Sequence, residues 1–343
     1  MSGRLRVFLA ATFLVLMAGF LAWFKLTQPR IFVLHSYKPD YSWTRDVDIG
    51  LRRVLDSRLR YKVVWHYMDT KNHPDREFKQ RAAALALRAI ENFNPHLIIA
   101  VDDDAQEEVA TRFVNRAGIA IVFAGINGPI EPYGYHHAAN AAGILERRSM
   151  LDLRDAILAM RRSAAPLGAR VMHLGDQSES VGLDSVEIEG FDWRPLKLVR
   201  STRVATLAEW QGEVARAAGV ADLILVSNYR NLRRKEGEPA LVPPDEVVRW
   251  TEQHSPLPLV GVGGFFVEEG GMFAIGASGF EQGDVSARMA VSILEGEALP
   301  LDLGVQRPQQ FIVYMRPAVL EKRGITLPRL YEAFARGTHN YFD

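Results

Sequence analysis

The sequence predicts an α/β protein with two doubly wound parallel-sheet lobes, preceded by one N-terminal transmembrane helix. At 343 residues, the chain exceeds the size at which a single hydrophobic core usually keeps growing, so two domains are expected. Strand and helix patterns alternate from Tyr61 onwards, which is typical of a parallel α/β sheet. Several predicted strands end in polar residues, and in open α/β sheets ligands bind beyond the carboxyl ends of the strands.

Composition excludes several classes of function. Apolar residues make up 48% of the chain and the formal net charge is zero, so no electrostatic feature favours nucleic acid as a partner. The chain has no cysteine, which excludes structural disulfides, thiolate metal sites and a cysteine nucleophile. The Gly263-Gly264 pair is not accompanied by a GxGxxG motif or a lysine-bearing P-loop, so no cofactor is predicted.

The N-terminal segment predicts the location of the protein. Residues 7–24 are almost wholly apolar, about the length that a helix needs to cross a bilayer. A cleaved secretory signal would look similar, but the small-residue pattern of a cleavage site is missing. We therefore expect residues 1–28 to be an uncleaved signal anchor, with Arg4 and Arg6 inside. The protein would be single-pass in the cytoplasmic membrane, with its main domain in the periplasm or extracellular space.

Residues 30–55 predict a buried strand, an aromatic loop and an amphipathic helix, in that order. The apolar run 31–34 turns polar at His35, where a central strand would leave the sheet. Ser42 can cap the helix that follows. A loop rich in aromatics also suits a local hydrophobic lid, and the pattern alone leaves both interpretations open. The candidate ligand-binding residues of this segment are Ser36, Tyr37, Tyr41, Trp43 and Thr44.

Three further strands are predicted at residues 62–68, 97–101 and 119–124, with a helix opening at Pro74 and another reaching to about Asn115. Their polar ends add candidate ligand-binding residues at the same sheet edge, namely Asp69, Asp102, Asp103, Gly125 and Asn127. Ordinary turn and cap chemistry would also explain aspartates there. A metal site is disfavoured, because three consecutive side chains, Asp102 to Asp104, diverge and no calcium loop follows. The adjacent histidines 136 and 137 are expected to be solvated for a similar reason.

The second half of the chain repeats the pattern. A helix running to about Arg162 leads to a lobe that begins at Pro166-Leu167-Gly168, and strands are predicted at 170–174, 196–199, 223–226 and 257–262. Thr206 and Glu209 form a capping-box pattern. Residues 177–193 have poor periodicity and receive no element. The candidate ligand-binding residues here are Glu146, Asp176, Asn228, Tyr229 and Gly263.

Many short motifs together resemble one known family. They are HSY at 35–37, YSWT at 41–44, Gly50, MDTK at 68–71, the aspartates before Ala105, FAGIN at 123–127, and the glycines and apolar runs of 272–296 and 311–328. The chain resembles the ABC-transporter substrate-binding protein family with the type I periplasmic-binding fold. Related domains form extracytoplasmic sensors of histidine kinases. Asp104 departs from the pattern, in which asparagine is more usual.

The resemblance implies an organisation and a function. Residues 29–141 with part of 276–310 would form one lobe, residues 142–275 the other, and residues 311–343 a hinge strand and closing segment. Such lobes close by hinge motion around a solute held in the cleft between them. A small organic ligand, amino-acid-like among the options, would pass to an ABC permease. Alternatives are signalling to a separate membrane sensor partner, a scaffold without ligand, and a hydrolase using carboxylates such as Asp69 and Asp103. We expect no enzyme activity.

The residues around the first loop also predict a ligand chemistry. The helix that begins near Ser42 could hold a carboxylate on its first N–H groups. An aspartate of the 102–104 triplet could accept an ammonium or hydroxyl group. Tyr37, Tyr41 and Trp43 offer flat surfaces for stacking. Together these features favour a zwitterionic solute that carries an apolar or aromatic part.

Overall fold

The computed structural model of the chain describes residues 3–162, 165–166 and 168–343. The chain forms two compact units. Unit 1 contains the residues up to Leu145 together with Gly279–Arg307, and unit 2 contains Glu146–Ser278 and Pro308–Asp343. The chain therefore leaves unit 1, builds most of unit 2, returns to unit 1 and ends in unit 2.

The helices are distributed over the whole chain. In chain order they are α1 (Gly3–Thr27), α2 (Ser42–Leu55), α3 (Arg76–Phe93), α4 (Asp103–Glu108), α5 (Met150–Ala159), α6 (Glu179–Gly190), α7 (Leu207–Ala217), α8 (Pro244–His254), α9 (Phe265–Glu268), α10 (Gly279–Leu294), α11 (Pro300–Leu303), α12 (Pro317–Lys322) and α13 (Arg329–Gly337). Short 3-10 helices occur at Ala110–Phe113, Glu131–Tyr133 and Tyr135–His137.

The strands alternate with these helices. They are β1 (Arg30–His35), β2 (Lys62–Tyr67), β3 (Leu97–Val101), β4 (Ala120–Ile126), β5 (Ala141–Leu145), β6 (Arg161–Arg162), β7 (Ala165–Pro166), β8 (Arg170–Asp176), β9 (Lys197–Val204), β10 (Leu223–Val226), β11 (Leu259–Gly261), β12 (Phe273–Ala277), β13 (Val305–Gln306), β14 (Phe311–Met315) and β15 (Ile325–Thr326).

Unit 1 is a six-stranded parallel sheet with the order β13-β5-β4-β3-β1-β2. Helices α2 and α10 cover one face, where Val47 and Ala290 pack on Ile31 and Val33. Helices α3 and α4 cover the other face. Because both faces are buried, the central strands are apolar without interruption, as the sequence indicated for 31–34 and 97–101.

Glycines allow α2 and α10 to pack with their backbones in contact. A Cβ atom at Gly283 would overlap the Val47 carbonyl oxygen and lie 2.8 Å from the Leu51 nitrogen. A Cβ atom at Gly50 would overlap the Phe280 carbonyl oxygen from the opposite side. Only residues without a side chain fit such a crossing, since the obstructing atoms belong to backbone and cannot rotate away.

Unit 2 has its own six-stranded sheet, with the order β14-β12-β11-β10-β8-β9. Strand β14 is antiparallel to β12, and the other neighbours are parallel. Helices α5, α6, α12 and α13 contribute to the core on one face, and α7, α8 and α9 contribute to the core on the other. Strands β15, β6 and β7 form a separate small antiparallel sheet in that order.

Helix α1 carries large apolar side chains that are exposed along its length, among them Phe13, Val15 and Leu16. Among the residues that the structure describes, no helix has both the length and the apolarity needed to cross a membrane. Met1 and Ser2 of the predicted anchor, and Leu167 at the predicted start of the second lobe, lie outside the described residues. The anchor stays a prediction.

Several local predictions are confirmed. Thr206 and Glu209 form the predicted capping box at the start of α7, with the Glu209 carboxylate accepting from the Thr206 nitrogen at 3.0 Å. The Asn94-Pro95 pair in the sequence indicates a helix stop, and Asn94 does end α3, in the left-handed conformation that is common at helix ends.

Other local predictions are wrong because they place a helix cap or a helix end at the wrong residue. Ser42 does not cap α2, because extended Tyr41 occupies the N-cap position one residue earlier. Asp75, not Pro74, precedes α3, and its carboxylate accepts from the Phe78 nitrogen. The helix expected to reach Asn115 ends at Glu108 and gives way to a 3-10 turn, because the backbone at Val109 leaves helical geometry. Helix α5 ends at Ala159 rather than near Arg162, where β6 begins.

Residues 177–193, for which no element was predicted, contain α6. The face that this helix buries mixes apolar Val181 and Ile188 with polar Asp184 and Ser185. This mixture obscures the apolar periodicity by which an amphipathic helix is recognised.

We expect Gly283→Ala to lower the free energy of unfolding of unit 1 by about 2 kcal/mol, because overpacking against backbone outweighs a gain in helix propensity of about 1 kcal/mol. The measurement is the thermal-unfolding midpoint by calorimetry. Gly212→Ala in α7 is the matched control, since its Cβ would approach only the Arg216 guanidinium, at 3.4 Å, and should be neutral or slightly stabilising. Equal midpoints for the two variants would show that the crossing is not tightly packed.

Candidate functional site

The carboxyl edge of the unit 1 sheet is organised by Ser36. Its buried hydroxyl donates to the Val101 carbonyl oxygen at 2.9 Å and accepts from the Ala105 nitrogen at 2.8 Å. Its own carbonyl oxygen accepts from both the nitrogen and the hydroxyl of Thr70, each at 2.9 Å. Ser36 therefore ties the ends of β1, β2 and β3 together, and its hydroxyl is engaged within the protein.

Three strands of this sheet end at or near residues with positive φ. These are Asp69 after β2, Asp102 after β3 and Gly125 at the end of β4. Asp102 has φ 66° and ψ 164°, a region that is essentially restricted to glycine and costs about 1–3 kcal/mol for other residues. Backbone strain of this kind concentrates at functional sites, where the surrounding structure holds it in place.

Trp43 holds the strained Asp102. The indole Nε1–H donates to Asp102 Oδ1 over 2.7 Å, so the first turn of α2 is bonded to the end of β3. A Cβ atom at Gly125 would lie 2.7 Å from the same carboxylate oxygen, so only glycine allows β4 to approach so closely. The predicted residues Trp43, Asp102 and Gly125 therefore meet in one cluster, in which Asp102 is fully buried.

The other two aspartates of the triplet point to different partners. Asp103 Oδ2 accepts from the nitrogen and the Nδ2 of Asn127, and its Oδ1 accepts from the Tyr133 hydroxyl at 2.9 Å. Asp104 Oδ1 accepts from Lys79 Nζ at 2.5 Å. The divergence expected for three consecutive side chains is confirmed.

Two of the partners show the effect of this acidic surrounding on their pKa values. Burial and the charge of Asp103 raise the pKa of Tyr133 well above its ordinary value. Burial lowers the pKa of Lys79, but the bond to Asp104 outweighs it and the pKa is raised. Tyr133 thus stays protonated and Lys79 stays charged at neutral pH.

The aromatic residues form the half-buried part of this edge. Tyr37 and Tyr41 pack edge to face with ring centroids 5.5 Å apart, and Lys71 Nζ lies 5.0 Å from the Tyr37 ring centroid. Burial, followed by the charges of Asp102 to Asp104, raises the pKa of Tyr37 well above its ordinary value. Its hydroxyl therefore remains a neutral donor near the acidic triplet.

Helix α2 presents its amino end at this edge. Tyr41 provides no side-chain cap, and the first backbone bond of the helix runs from the Arg45 nitrogen to the Tyr41 carbonyl oxygen at 3.0 Å. The preceding N–H groups, of Ser42, Trp43 and Thr44, have no carbonyl one turn earlier in the helix to bind. The Thr44 side chain itself is fully buried, so only its backbone belongs to the edge.

Gln282 is a functional candidate that the sequence did not reveal. It is fully buried on α10, accepts from the Gly125 nitrogen at 2.8 Å and donates to the Leu145 carbonyl oxygen at 2.9 Å. It thus fixes the ends of β4 and β5 from a helix that lies more than a hundred residues later in the chain. No local pattern marks such a residue. Tyr133 and Lys79 were missed for the same reason.

In unit 2, Asp176 organises the carboxyl edge. The buried Asp176 Oδ1 accepts from the Ser178 nitrogen at 2.9 Å, and Oδ2 accepts from the Asn231 nitrogen at 2.9 Å. Asn228 Oδ1 accepts from the nitrogens of Tyr229 and Arg230. These two candidates shape the loop after β10 chiefly through bonds to backbone.

The contacts of Tyr229 and Gly263 indicate that both residues serve packing. Tyr229 is fully buried against Trp210 and Phe266, with its hydroxyl donating to Glu269, which also pairs with Arg230. At Gly263 a Cβ atom would collide with the ring of Phe265, so the absence of a side chain lets that ring pack closely. Glu146, the remaining candidate, is half-buried at the first position of unit 2.

A buried ion pair at the same edge of unit 2 was not predicted. Arg148 binds Asp184 through two bonds of 2.7 and 3.0 Å and donates to the Val262 carbonyl oxygen at 2.6 Å. Burial opposes the charge of Arg148, but Asp184 outweighs it and raises the arginine pKa. The pair joins the start of unit 2 to α6 and to the end of β11.

Across the described ranges, no group of three His, Asp or Glu side chains is arranged as a metal site would require. The ten candidates of the first lobe lie in unit 1 and the five of the second lie in unit 2. The first set converges on one sheet edge, at which Trp43, Asp102, Asp103, Gly125 and Asn127 are linked by contacts.

Comparisons with known proteins bear on the family and the fold. Residues 246–335 match the family described as ABC transporter substrate binding protein. The chain resembles ABC transporter substrate-binding proteins in sequence motif and in fold. This confirms the resemblance predicted from the sequence, and proteins of that family are binding proteins rather than enzymes. No curated protein sequence matches the chain significantly.

Solved structures support the fold over nearly the whole chain. A ligand-free, open substrate-binding protein with adhesive properties from Clostridium difficile has a TM-score of 0.65, 15% identity, and coverage of 92% of this chain and 99% of that one. An ABC domain in complex with L-Trp from Streptococcus pneumonia has a TM-score of 0.62, 16% identity, and coverage of 89% and 98%. A conserved domain protein from Vibrio cholerae has a TM-score of 0.60, 15% identity, and coverage of 90% and 98%.

The strain at Asp102 predicts the order of stability of two variants. Asp102→Gly and Asp102→Ala both remove the carboxylate, but only glycine adopts the backbone conformation freely. Relief of about 1–3 kcal/mol of strain, offset by up to about 1 kcal/mol of extra chain entropy, makes the glycine variant more stable by about 1–2 kcal/mol. Urea unfolding measures the difference. An alanine variant as stable as the glycine variant would contradict the strained conformation.

His173 predicts a pH dependence of unit 2. It is buried between the hydroxyls of Ser201 and Ser227, each 2.9 Å away, and burial lowers its pKa from 6.5 to about 4. Between pH 6.5 and about pH 4, His173 is protonated in the unfolded chain but remains neutral in the folded chain. Stability is therefore full above pH 6.5 and falls by about 3 kcal/mol as the pH drops to about 4.

The control for this prediction is His173→Gln, which removes the titrating ring. The difference in unfolding free energy between wild type and variant should change over that pH range. Parallel pH profiles for the two proteins would show that His173 contributes nothing to acid sensitivity.

Proposed function

We propose that the protein captures a small organic solute for an ABC transporter. The observation that carries the proposal is the convergence of three positive-φ strand ends, at Asp69, Asp102 and Gly125, on one edge of unit 1. Such an edge is where ligands bind in open parallel sheets. The family match over residues 246–335 supports the same class of function. The cleft between two lobes stays a prediction.

The ligand class that suits this edge is a zwitterion with an apolar or aromatic part. The amino end of α2 offers N–H groups of Ser42 and Trp43 to a carboxylate, and helix amino ends favour negative charge. The acidic triplet offers negative charge to an ammonium group. The faces of Tyr37 and Tyr41 offer stacking surface. One solved structure of this fold, from Streptococcus pneumonia, holds L-Trp.

The carboxylates at this edge differ in how available their oxygens are to a ligand. Both carboxylate oxygens of Asp103 accept hydrogen bonds, one from Asn127 and one from Tyr133. Asp104 pairs with Lys79, so the charge of the Asp104 carboxylate is already balanced. Asp69 is half-exposed and bonds Asn72. We therefore expect the ammonium group of the ligand to be attracted by the combined negative charge of Asp102 to Asp104 more than by a direct bond to one of them. Asp103 would act by orienting Asn127.

The proposed location is outside the cytoplasmic membrane, with the protein attached through its N-terminal helix. Exposed apolar side chains on α1, such as Phe13 and Leu16, support attachment, because apolar surface of this extent is unfavourable in water. An ABC permease is the proposed partner. A separate sensor partner follows from the resemblance alone.

Isothermal titration with L-tryptophan tests the ligand class. We expect wild type to bind, Trp43→Ala to bind at least tenfold more weakly because the Asp102 bond and the stacking surface are lost, and Asp103→Asn to bind several-fold more weakly. A change of tenfold corresponds to about 1.4 kcal/mol. The thermal-unfolding midpoint of each variant is measured alongside, to separate binding from folding.

Two matched controls lie away from the edge. Trp250→Ala removes an indole that stacks on His254 in α8, and Asp56→Asn neutralises an exposed aspartate. Neither should change the affinity. Tight binding of a neutral sugar, unaffected by Trp43→Ala and Asp103→Asn, would assign this edge to a different class of ligand.

A further inference from the structure

An exposed leucine between two arginines lies at the end of unit 1 that is opposite the candidate site. Leu59, in the turn between α2 and β2, is 88% exposed, and Arg58 and Arg60 beside it are also exposed. A large apolar side chain so fully exposed at a turn adds nothing to the core. Flanking guanidinium groups give the same turn affinity for anions, phosphate groups in particular.

This turn lies where helix α1 joins the sheet. The Gln28 amide donates to the Leu59 carbonyl oxygen at 3.2 Å, and the Lys62 nitrogen donates to the Pro29 carbonyl oxygen at 2.9 Å. The short segment between α1 and β1 is therefore bonded to this turn and to the first residue of β2, at the amino edge of the parallel sheet. Leu26, in the last turn of α1, is 80% exposed.

An acidic side chain links this turn to the end of α10. Glu295, just after α10, accepts from Arg58 and from the Tyr61 hydroxyl, each at 2.7 Å, and its carboxylate lies 3.8 Å from Arg60. Two guanidinium groups therefore face one carboxylate. Leu26, Arg58, Leu59 and Arg60 together make up what we term the amino-edge surface.

We propose that the amino-edge surface rests on an anionic lipid bilayer. The exposed side chains of Leu26 and Leu59 would enter the boundary between headgroups and acyl chains. Arg60, whose side chain is 54% exposed and lies farther from Glu295 than Arg58 does, would pair with lipid phosphates. Continuity with the apolar helix α1 favours a bilayer over a protein partner, because the chain enters unit 1 at this surface. The inference rests on the proposed membrane attachment.

The consequence concerns the orientation of the ligand site. The strands of the unit 1 sheet run in parallel from the amino edge to the carboxyl edge, where Trp43, Asp102 and Asn127 lie. A bilayer at the amino edge would hold the candidate site on the far side of unit 1, open to solutes and away from the lipid.

The absence of cysteine from the sequence makes a clean test available. Leu59→Cys and Asp40→Cys each create a single labelling site in the full chain, the first on the amino-edge surface and the second on an exposed loop at the carboxyl edge. An environment-sensitive fluorophore on each is measured in vesicles of phosphatidylcholine and phosphatidylglycerol, with iodide as the aqueous quencher. We expect several-fold protection from iodide at position 59 and none at position 40.

Charge dependence is tested in the same assay. Arg60→Glu combined with Leu59→Cys should lose most of the protection, as should vesicles of phosphatidylcholine alone. Flotation of the vesicles tests membrane attachment separately from the role of the amino-edge surface. Protein that floats with a fully quenched label at position 59 would overturn the surface proposal alone, whereas protein that fails to float would overturn the membrane attachment and the surface together.

Discussion

The close crossing of α2 and α10 is the contact on which unit 1 depends. Helix α10 returns to this unit only after the chain has built most of unit 2, yet its residues Ala287 and Ala290 complete the core over Ile31 and Val33. Glycines in both helices allow backbone to meet backbone. Burial on both faces is what a parallel sheet requires, so without α10 the apolar strands would face water.

The same helix extends this dependence to the candidate site. Gln282 bonds the Gly125 nitrogen and the Leu145 carbonyl oxygen, and Asp284, two residues later, pairs with Arg53 of α2 at 2.6 Å. Because α2 also supplies Trp43, one helix pair sets both sides of the edge that holds Asp102. The strain at Asp102 persists because these buried bonds outweigh its cost. Ligand contacts are thereby placed on rigid elements before a solute arrives.

Local sequence signals predicted much of the fold. Apolar runs marked β1, β3 and β4, polar residues marked their ends, and Thr206 with Glu209 marked the start of α7. The missed features share one physical cause, which is that their partners lie far away in sequence. Buried Asp184 made α6 unreadable because its partner, Arg148, lies 36 residues earlier, and Gln282 lies 157 residues from Gly125. Polar residue types at strand ends identified the edge, but only the structure distinguished Ser36, which ties strands together, from residues with a half-exposed ring such as Tyr37.

The central claim is that the chain binds a small solute through the ordered edge of unit 1. A ligand that binds only the folded protein raises the unfolding midpoint by mass action, by the equivalent of about 2.7 kcal/mol at one hundred times the dissociation constant. The most direct measurement is a thermal-shift screen of the full chain with amino acids, nucleosides and sugars. The account predicts a raised midpoint with aromatic amino acids and no shift with neutral sugars. A flat response across the panel, or a shift with neutral sugars alone, would contradict it.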